Sequence, residues 1–331
     1  MMNLQAVEER SKLKHSMHKW FQDNGYLEVE TPLIAPTLIP EPTIGTFATN
    51  YISTLYGQRE LYLVPSPEIH MKPFIREFGK SIYQISRCFR NNEQIGSHHN
   101  PEFTMVEYYT VNADEFDSIE ITERLIHETK LPNTKEHLLP PFNKMSVAEA
   151  CYKFSGIDLE KVQKTTKIRE AAKGLGLSLG EGFEPWQDTF NRIFLNFVEP
   201  KLPQEKPLIL YDYPKQIACL AKEKEQTPYR KRWELYMGGV ELANCYDEER
   251  DKEKVELFFK EQSSILATQR AHTNEAIADI DYSFVANFDS KFPQCSGVAL
   301  GFDRLLMLQG GYKRIGDLIL FALSDNISNG H

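Results

Sequence analysis

Apolar positions near the start of the chain change period early. From residue 5 to 23, Val7, Leu13, Met17, Trp20 and Phe21 recur among charges at roughly helical spacing, and Asp23, Asn24 and Gly25 close the run. That pattern predicts a long amphipathic helix. YLEVET (Tyr26 to Thr31) then alternates like a strand and stops at Pro32, while LIAPTLIPEPTIG is too rich in proline for regular structure. RELYLVPSPE, KSIYQISRCFR and FTMVEYYTV read as strands, so residues 60 to 111 are expected to be strands joined by loops, Arg90 to Pro101 being one such connection.

From Ala113 to Glu128 the pattern turns helical and acidic, and weaker helical patterns run to about Lys173. The glycine-rich stretch from Gly174 to Phe183 reads as a loop. Beyond it, WQDTFNRIFLNFVEPKL predicts a helix and PLILYDYP a buried strand ending at Pro214. RWELYMGGVELAN predicts two strands about Gly238 and Gly239, and DEERDKEKVELFFKEQSSILATQRA a charged helix. CSGVALGFDRLLMLQGG switches from a small-residue strand into a helix. The expected fold is α/β of the α+β type, an antiparallel sheet flanked by helices in one domain over residues 1–331.

Composition changes this picture little. The chain has 331 residues, 41% hydrophobic and 26% charged, which suits a packed globular protein. A net charge of -9 counts against a protein whose main task is gripping a nucleic-acid backbone, which draws on clustered Lys and Arg. The first twenty residues hold no signal-peptide core and no run approaches a membrane span, so a cytoplasmic protein without membrane contact is expected. Five scattered cysteines without a CxxC pair signal neither a disulfide framework nor a zinc site, and are expected as small buried residues.

Three stretches carry candidate chemistry. In CFRNNEQIGSHHNPEF, Arg90 offers a planar fork for bidentate phosphate contact, with Asn92, Glu93, Asn100 and Glu102 as hydrogen-bonding neighbours. Adjacent His98 and His99 would point to opposite faces of an extended chain and would not easily share a metal. A solvated hairpin, an anion-binding loop and a metal site all remain open on these residues. In RWELYMGGVELANCYDEER, a two-residue turn at Gly238 and Gly239 would set Tyr236 opposite Glu241, with Glu234 on the same face. The converging carboxylates would suit Mg²⁺, or form an exposed acidic strand face. In GVALGFDRLLML, glycines would let a ligand approach the backbone before Arg304 emerges at a helix start, or would serve packing.

With YLEVETP ahead of them, these stretches resemble motifs 1, 2 and 3 of class II aminoacyl-tRNA synthetases, in order. NPEFTMVEYY and ELYMGGVELAN resemble lysyl-tRNA synthetases in particular. Those enzymes carry an anticodon-binding barrel before motif 1, which here begins about twenty residues in, so no such barrel is expected and tRNA is an unexpected acceptor. With CSGVALG and SPEIHMK, the resemblance is to the elongation factor P lysyltransferase family, freestanding paralogues that aminoacylate a protein lysine.

The resemblance implies a homodimer through motif 1, ATP and Mg²⁺ as cofactors, and lysine or β-lysine and elongation factor P as partners. It implies that Arg90 holds the α-phosphate, that adenine stacks between Phe103 and Arg304, and that Asn92, Glu93, Asn100, Glu241, Leu242 and Gly301 contact ATP. Arg90 and Arg304 are the implied catalytic residues, and Glu234 and Glu241 the Mg²⁺-associated acids. Ser66, Glu68, Glu107, Tyr109, Asn244, Glu248 and Ala299 match a pocket for a lysine-like substrate. Ala299 replaces a usual glycine, and its methyl group is expected to favour β-lysine. Two departures stand out: the RNNEQIG loop is one residue longer than the family pattern, and Cys245 replaces the glycine after Asn244.

Overall fold

The computed structural model describes residues 3–93, 95–180, 182, 184–270 and 276–323. In chain order its elements are α1 (Leu4–Asp23), β1 (Leu27–Glu28), β2 (Ile34–Ala35), β3 (Phe47–Ser53), β4 (Gly57–Leu63), α2 (Glu68–Phe78), β5 (Ile82–Phe89), β6 (Glu102–Val111), α3 (Glu115–Glu128) and β7 (Asn143–Ser146). They continue with α4 (Val147–Ser155), α5 (Thr165–Gly174), α6 (Trp186–Ile193), β8 (Leu208–Pro214), β9 (Tyr229–Met237), β10 (Val240–Asp247), α7 (Lys252–Arg270), β11 (Cys295–Gly301) and α8 (Phe302–Gly310). Eight strands form one sheet, β1-β5-β6-β11-β10-β9-β8-β7, and β2-β4-β3 form a second. The large sheet is antiparallel except at its edges, where β1 and β7 run parallel to β5 and β8.

Strand alternation divides the large sheet into two faces. Val106 and Tyr108 of β6, Val298 and Leu300 of β11, and Trp233, Leu235 and Met237 of β9 join the core beneath α1, α3 and α8. The other face of these strands carries the polar side chains described below. Phe21 of α1 stacks on Tyr83 of β5 at 4.3 Å between ring centroids, which fixes the first helix across the sheet. A second core, including Trp186, Phe190 and Ile193 of α6, packs α4 to α6 against β8.

The structure departs from the sequence expectations in four places. Residues 60–111 are not all strand and loop, because α2 occupies Glu68–Phe78 with Pro73 inside it. Its buried Met71, Lys72 and Ile75 lie on one helical face, and Gly79 ends it in the left-handed conformation at φ 58°. YLEVET yields only the two-residue β1, since Pro32 and the proline-rich stretch divert the chain. β3, which the sequence reading left out, pairs with β4 as a hairpin. β10 carries a bulge between Glu241 and Ala243 that breaks strict alternation. The expected loop at 174–183 follows α5, with residues 181 and 183 outside the described ones, as is Ala271 at the end of the expected charged helix.

Cys245 in place of glycine leaves a regular strand path, paired with Trp233 and Val298, and its thiol lies 3.0 Å from the Ser118 hydroxyl. All five cysteines are free and buried. No helix of the described residues is long and apolar enough to cross a membrane.

A partly buried ion pair pins α1 to α8. Arg10 of α1 donates to Asp303 of α8 (2.5 Å) and to the Thr104 hydroxyl (2.5 Å), while Asp303 also accepts from Thr104 N (2.6 Å). Arg10→Ala leaves the Asp303 carboxylate with one donor, and should cost about 3 kcal/mol in urea unfolding. Arg10→Lys should recover only part, because an ammonium cannot reproduce the fork.

Candidate active site

Cross-strand register builds the site from two adjacent rows. Glu107 of β6 stands opposite Ala299 of β11, Ala299 opposite Asn244 of β10, and Asn244 opposite Glu234 of β9. One pleat further on, Tyr109 stands opposite Gly297, Gly297 opposite Tyr246, and Tyr246 opposite Arg232. The bulge matters here, because Glu241 and Asn244 are three apart and would face opposite sides of a regular strand. With the extra residue absorbed, both line the same cleft. Glu241 stands opposite Tyr236, as the two-residue turn predicts.

The cleft has two chambers that share Arg90, Glu93, Met105, Glu241, Asn244 and Ala299. The first, about 280 Å³, is also lined by Asn100, Phe103, Leu242, Gly301 and Arg304, and by both His98 and His99. The second, about 380 Å³, adds Ser66, Glu68, Glu107, Tyr109, Glu234 and Glu248. Every sequence-predicted site residue therefore lines the cleft except Asn92. That residue turns the loop in the left-handed conformation at φ 60°, so Glu93 is the one of the pair that faces inward.

In the first chamber Arg90 lies over the Phe103 ring, 5.2 Å from its centroid, and its buried Nε has no hydrogen-bond partner among the described residues. Arg304 is held by donating to Glu241 O (2.7 Å) and His98 O (3.2 Å). Asn100 is oriented by donating to Glu102 O (2.5 Å). Burial and the Arg304 guanidinium hold both His98 and His99 below the ordinary imidazole value, so both are neutral at pH 7.

The second chamber is crowded with acids. Ser66 (2.7 Å) and Tyr109 (2.9 Å) donate to the two oxygens of Glu107. Burial, reinforced by Glu68, still pushes that carboxyl up to about 7. Lys72, fully buried on α2, bridges Glu68 and Glu248, with Nζ 2.7 Å from Glu248 Oε2. Burial alone would lower the ammonium, yet Glu248 and Glu68 raise it above the usual lysine range. Burial also lifts Glu248 to about 8, against the pull of Lys72. A Cβ at Gly297 would lie 2.5 Å from Glu248 Oε1 and from the Tyr109 ring, so only glycine lets both approach the strand.

The two acids expected at Mg²⁺ differ. Glu234 already accepts from Arg232 (2.6 Å), Tyr213 (2.5 Å) and Tyr236 (3.1 Å). Among the described residues Glu241 accepts no side-chain hydrogen bond, and burial with Glu234 lifts it to about 7 despite Arg304, Arg232 and Arg90. Its half-buried carboxyl, free of side-chain donors among the described residues, fits a divalent cation; that of Glu234 is already occupied.

Sequence reasoning missed Lys72, Arg232 and Glu41, which line or flank the acid chamber, and Gln187 and Asn191, which α6 extends over it. Lys72 was within reach, since it follows Glu68 by four residues in SPEIHMK. The others come from distant elements and no local pattern marks them.

Fold and cleft together define a class. The chain belongs to the class II tRNA synthetases of the D, K and N group, whose family model matches residues 2–325. Within that class it is 35% identical to the elongation factor P-(R)-beta-lysine ligase of Proteus mirabilis over 318 residues, 95% of this chain and 94% of the relative. It is 33% identical to the ligase of the same name from Vibrio vulnificus over 322 residues, 96% of each chain.

The raised carboxyls give the protein without ligand a signed pH dependence. Glu107 and Glu241 near 7 and Glu248 near 8 are all above their unfolded value of 4.5, so the folded state holds these protons more tightly. The stability linked to them is complete below that unfolded value and is lost as pH rises through 7 to 8. Between pH 6 and 8.5 the unliganded protein should lose at least about 1–2 kcal/mol, a melting-temperature drop of roughly 2–6 °C. A diamino acid should restore more of it at pH 8.5 than at pH 6, read by thermal melts with and without ligand.

Proposed function

We propose that the chain uses ATP to activate lysine or (R)-β-lysine as an aminoacyl-adenylate and transfers it to the ε-amino group of a lysine on elongation factor P. The observation that carries this reading is the meeting of two unlike chambers at Arg90, Glu241 and Ala299. One holds two arginines and an aromatic ring; the other holds acids in excess of its internal cations. The names of the relatives supply the acceptor.

In the nucleotide chamber, Arg90 directs its unpartnered donor at the α-phosphate, and Phe103 and Arg304 take the two faces of adenine. Glu93, Asn100, Leu242 and Gly301 complete the ATP contacts. In the acid chamber, Glu68, Glu107 and Glu248 receive the two ammonium groups, with Ser66, Tyr109 and Asn244 fixing orientation. Ionised carboxylates paired with buried ammonium groups supply the compensation that burial demands. The substrate carboxylate is thereby presented at the junction, where it attacks the α-phosphorus and pyrophosphate leaves. Positioning and charge neutralisation drive the step, with no protein nucleophile.

Mg²⁺, when bound at Glu241, would neutralise phosphate charge. Glu234, held by its three donors, orients Arg232 and the tyrosines beside it. In the transfer step an amine nitrogen attacks the adenylate carbonyl and AMP departs, leaving an amide. We place the reaction in the cytoplasm and the chain in a homodimer through the motif 1 edge, where Leu27, Leu33 and Ile34 are exposed.

Incubation with ATP and either amino acid should give amino-acid-dependent pyrophosphate exchange, and elongation factor P should gain one lysyl mass by intact-mass measurement. Charging of tRNA with no mass gain on elongation factor P would overturn the choice of acceptor, and absence of exchange would overturn the reading as a whole. Ala299 stands between Glu107 and Asn244, where its methyl group shapes the floor shared by both chambers. Ala299→Gly should shift the ratio of adenylation rates from β-lysine toward α-lysine by about tenfold, roughly the discrimination one methyl group supplies. An unchanged ratio would remove Ala299 from the specificity argument.

A further inference from the structure

Glu41 is a carboxylate of the acid chamber to which the binding of neither substrate assigns a task. It lies between Pro40 and Pro42, in a stretch without regular structure, and lines the chamber beside Thr43 and Ile44. The loop is not free to wander. Asn91 N donates to Gly45 O (2.9 Å), Asn91 Nδ2 donates to Thr46 O (3.2 Å), and Ile44 N closes a turn on Glu41 O (3.0 Å). A Cβ on Gly45 would lie 2.3 Å from Asn91 O, so the two backbones touch. Asn91 follows Arg90 directly, and this fastening therefore ties the Glu41 stretch to the strand end that carries Arg90, one of the residues the two chambers share.

Charge balance separates Glu41 from its neighbours. A bound diamino acid favours the ionised forms of Glu107 and Glu248; with Glu68 they then bring three negative charges and Lys72 one positive, which leaves two, one for each ammonium group. Glu234 is taken by Arg232 and two tyrosines, and Glu241 faces the phosphates. Glu41 is half-buried and accepts no side-chain hydrogen bond among the described residues, so it is reachable from outside and unspent.

The transfer step has a matching requirement. A lysine side chain has a pKa near 10.4, so only about one in a thousand is neutral at physiological pH, and the ammonium form has no lone pair to attack with. We propose that Glu41 is the general base of the transfer step, taking one proton from the ε-ammonium of the acceptor lysine. The nitrogen lone pair then forms the bond to the adenylate carbonyl carbon, and the bond from that carbon to the phosphate oxygen breaks with its electrons leaving on AMP. The second nitrogen proton departs to solvent, and Glu41 returns its own proton there.

The groups facing Glu41 are Glu68 and Lys72 from α2, Arg90 at the end of β5 and Arg232 from β9. Burial and Glu68 push its carboxyl up to about 7, against Arg90, Lys72 and Arg232, which suits a base working near neutrality.

The inference rests on the functional reading above, and one experiment separates the two. Full-length wild type and Glu41→Gln are compared with ATP and (R)-β-lysine in pyrophosphate exchange, in release of the preformed adenylate to hydroxylamine, and in single-turnover transfer to elongation factor P between pH 6 and 8.5. Hydroxylamine is a far weaker base than a lysine amine, is largely neutral from about pH 7 upward and needs no base there. The expected result is a transfer rate lowered about 100-fold or more relative to both other reactions, the range a general base supplies. Wild-type transfer should rise with pH through about 7 and then level, because Glu41 accepts a proton only when ionised; the variant should lack that rise. Glu41→Asp should recover part of the transfer. Loss of all three reactions in parallel, or transfer that matches wild type, would overturn the role of Glu41. A wild-type enzyme that exchanges pyrophosphate yet leaves elongation factor P unmodified would overturn the acceptor assignment and this inference with it.

Discussion

The ammonium of Lys72, sealed between Glu68 and Glu248, sets the electrostatics of the whole cleft. Three substrate-facing carboxylates buried side by side would protonate one another in turn, since like charges at short range in a poorly solvated site cannot all ionise. One internal cation opposes that protonation, pulling on Glu248 and Glu107 against their burial. It is also fixed in place, because α2 holds Lys72 in the core by the same face that carries Met71 and Ile75. The chamber thus keeps a standing deficit of positive charge that a ligand with two amines can fill, and a ligand with one amine fills only in part.

Around that pairing the sheet works as a ruler. Residues directly opposite on neighbouring strands repeat about every 4.8 Å, so the row from Glu107 to Glu234 spans about 14 Å with its side chains on one face. Small residues on β11, Gly297 and Ala299, make the floor of the trough; larger neighbours on β6, β10 and β9 make its walls. The bulge in β10 turns Glu241 inward where regular alternation would have sent it into the core. A single inserted residue therefore lets β10 line both the Arg304 chamber and the acid chamber.

Much of this was legible in the chain. The period-two runs located β4 to β6 and β8 to β11, and the Gly238-Gly239 turn fixed the β9-β10 register near its tip. Sixteen of the seventeen candidate site residues line the cleft: most sit on β6, β9, β10 and β11 or in loops at strand ends, while Glu68 opens α2 and Arg304 lies in the first turn of α8. What escaped had a physical cause in each case. Pro73 disguised α2, whose helical face is set by tertiary packing instead of propensity. The β10 bulge leaves no composition signal. Arg232 and Glu41 read as an ordinary strand arginine and a loop acid until the fold sets them beside Glu234 and Arg90.

The loop around Arg90 shows how the two halves of the chemistry share one support. Its residues before the turn hold the arginine against Phe103, and its Asn91 holds the Glu41 stretch by backbone contacts too close for any side chain at Gly45. Activation needs a cation placed at the α-phosphate, and transfer needs a proton acceptor within reach of the same carbonyl carbon a moment later. On the proposed reading one hairpin end serves both, carrying Arg90 itself and fastening the Glu41 stretch through Asn91. The demand on the acceptor protein is then only to deliver a lysine into the open side of a cleft whose charges are already balanced for the first step.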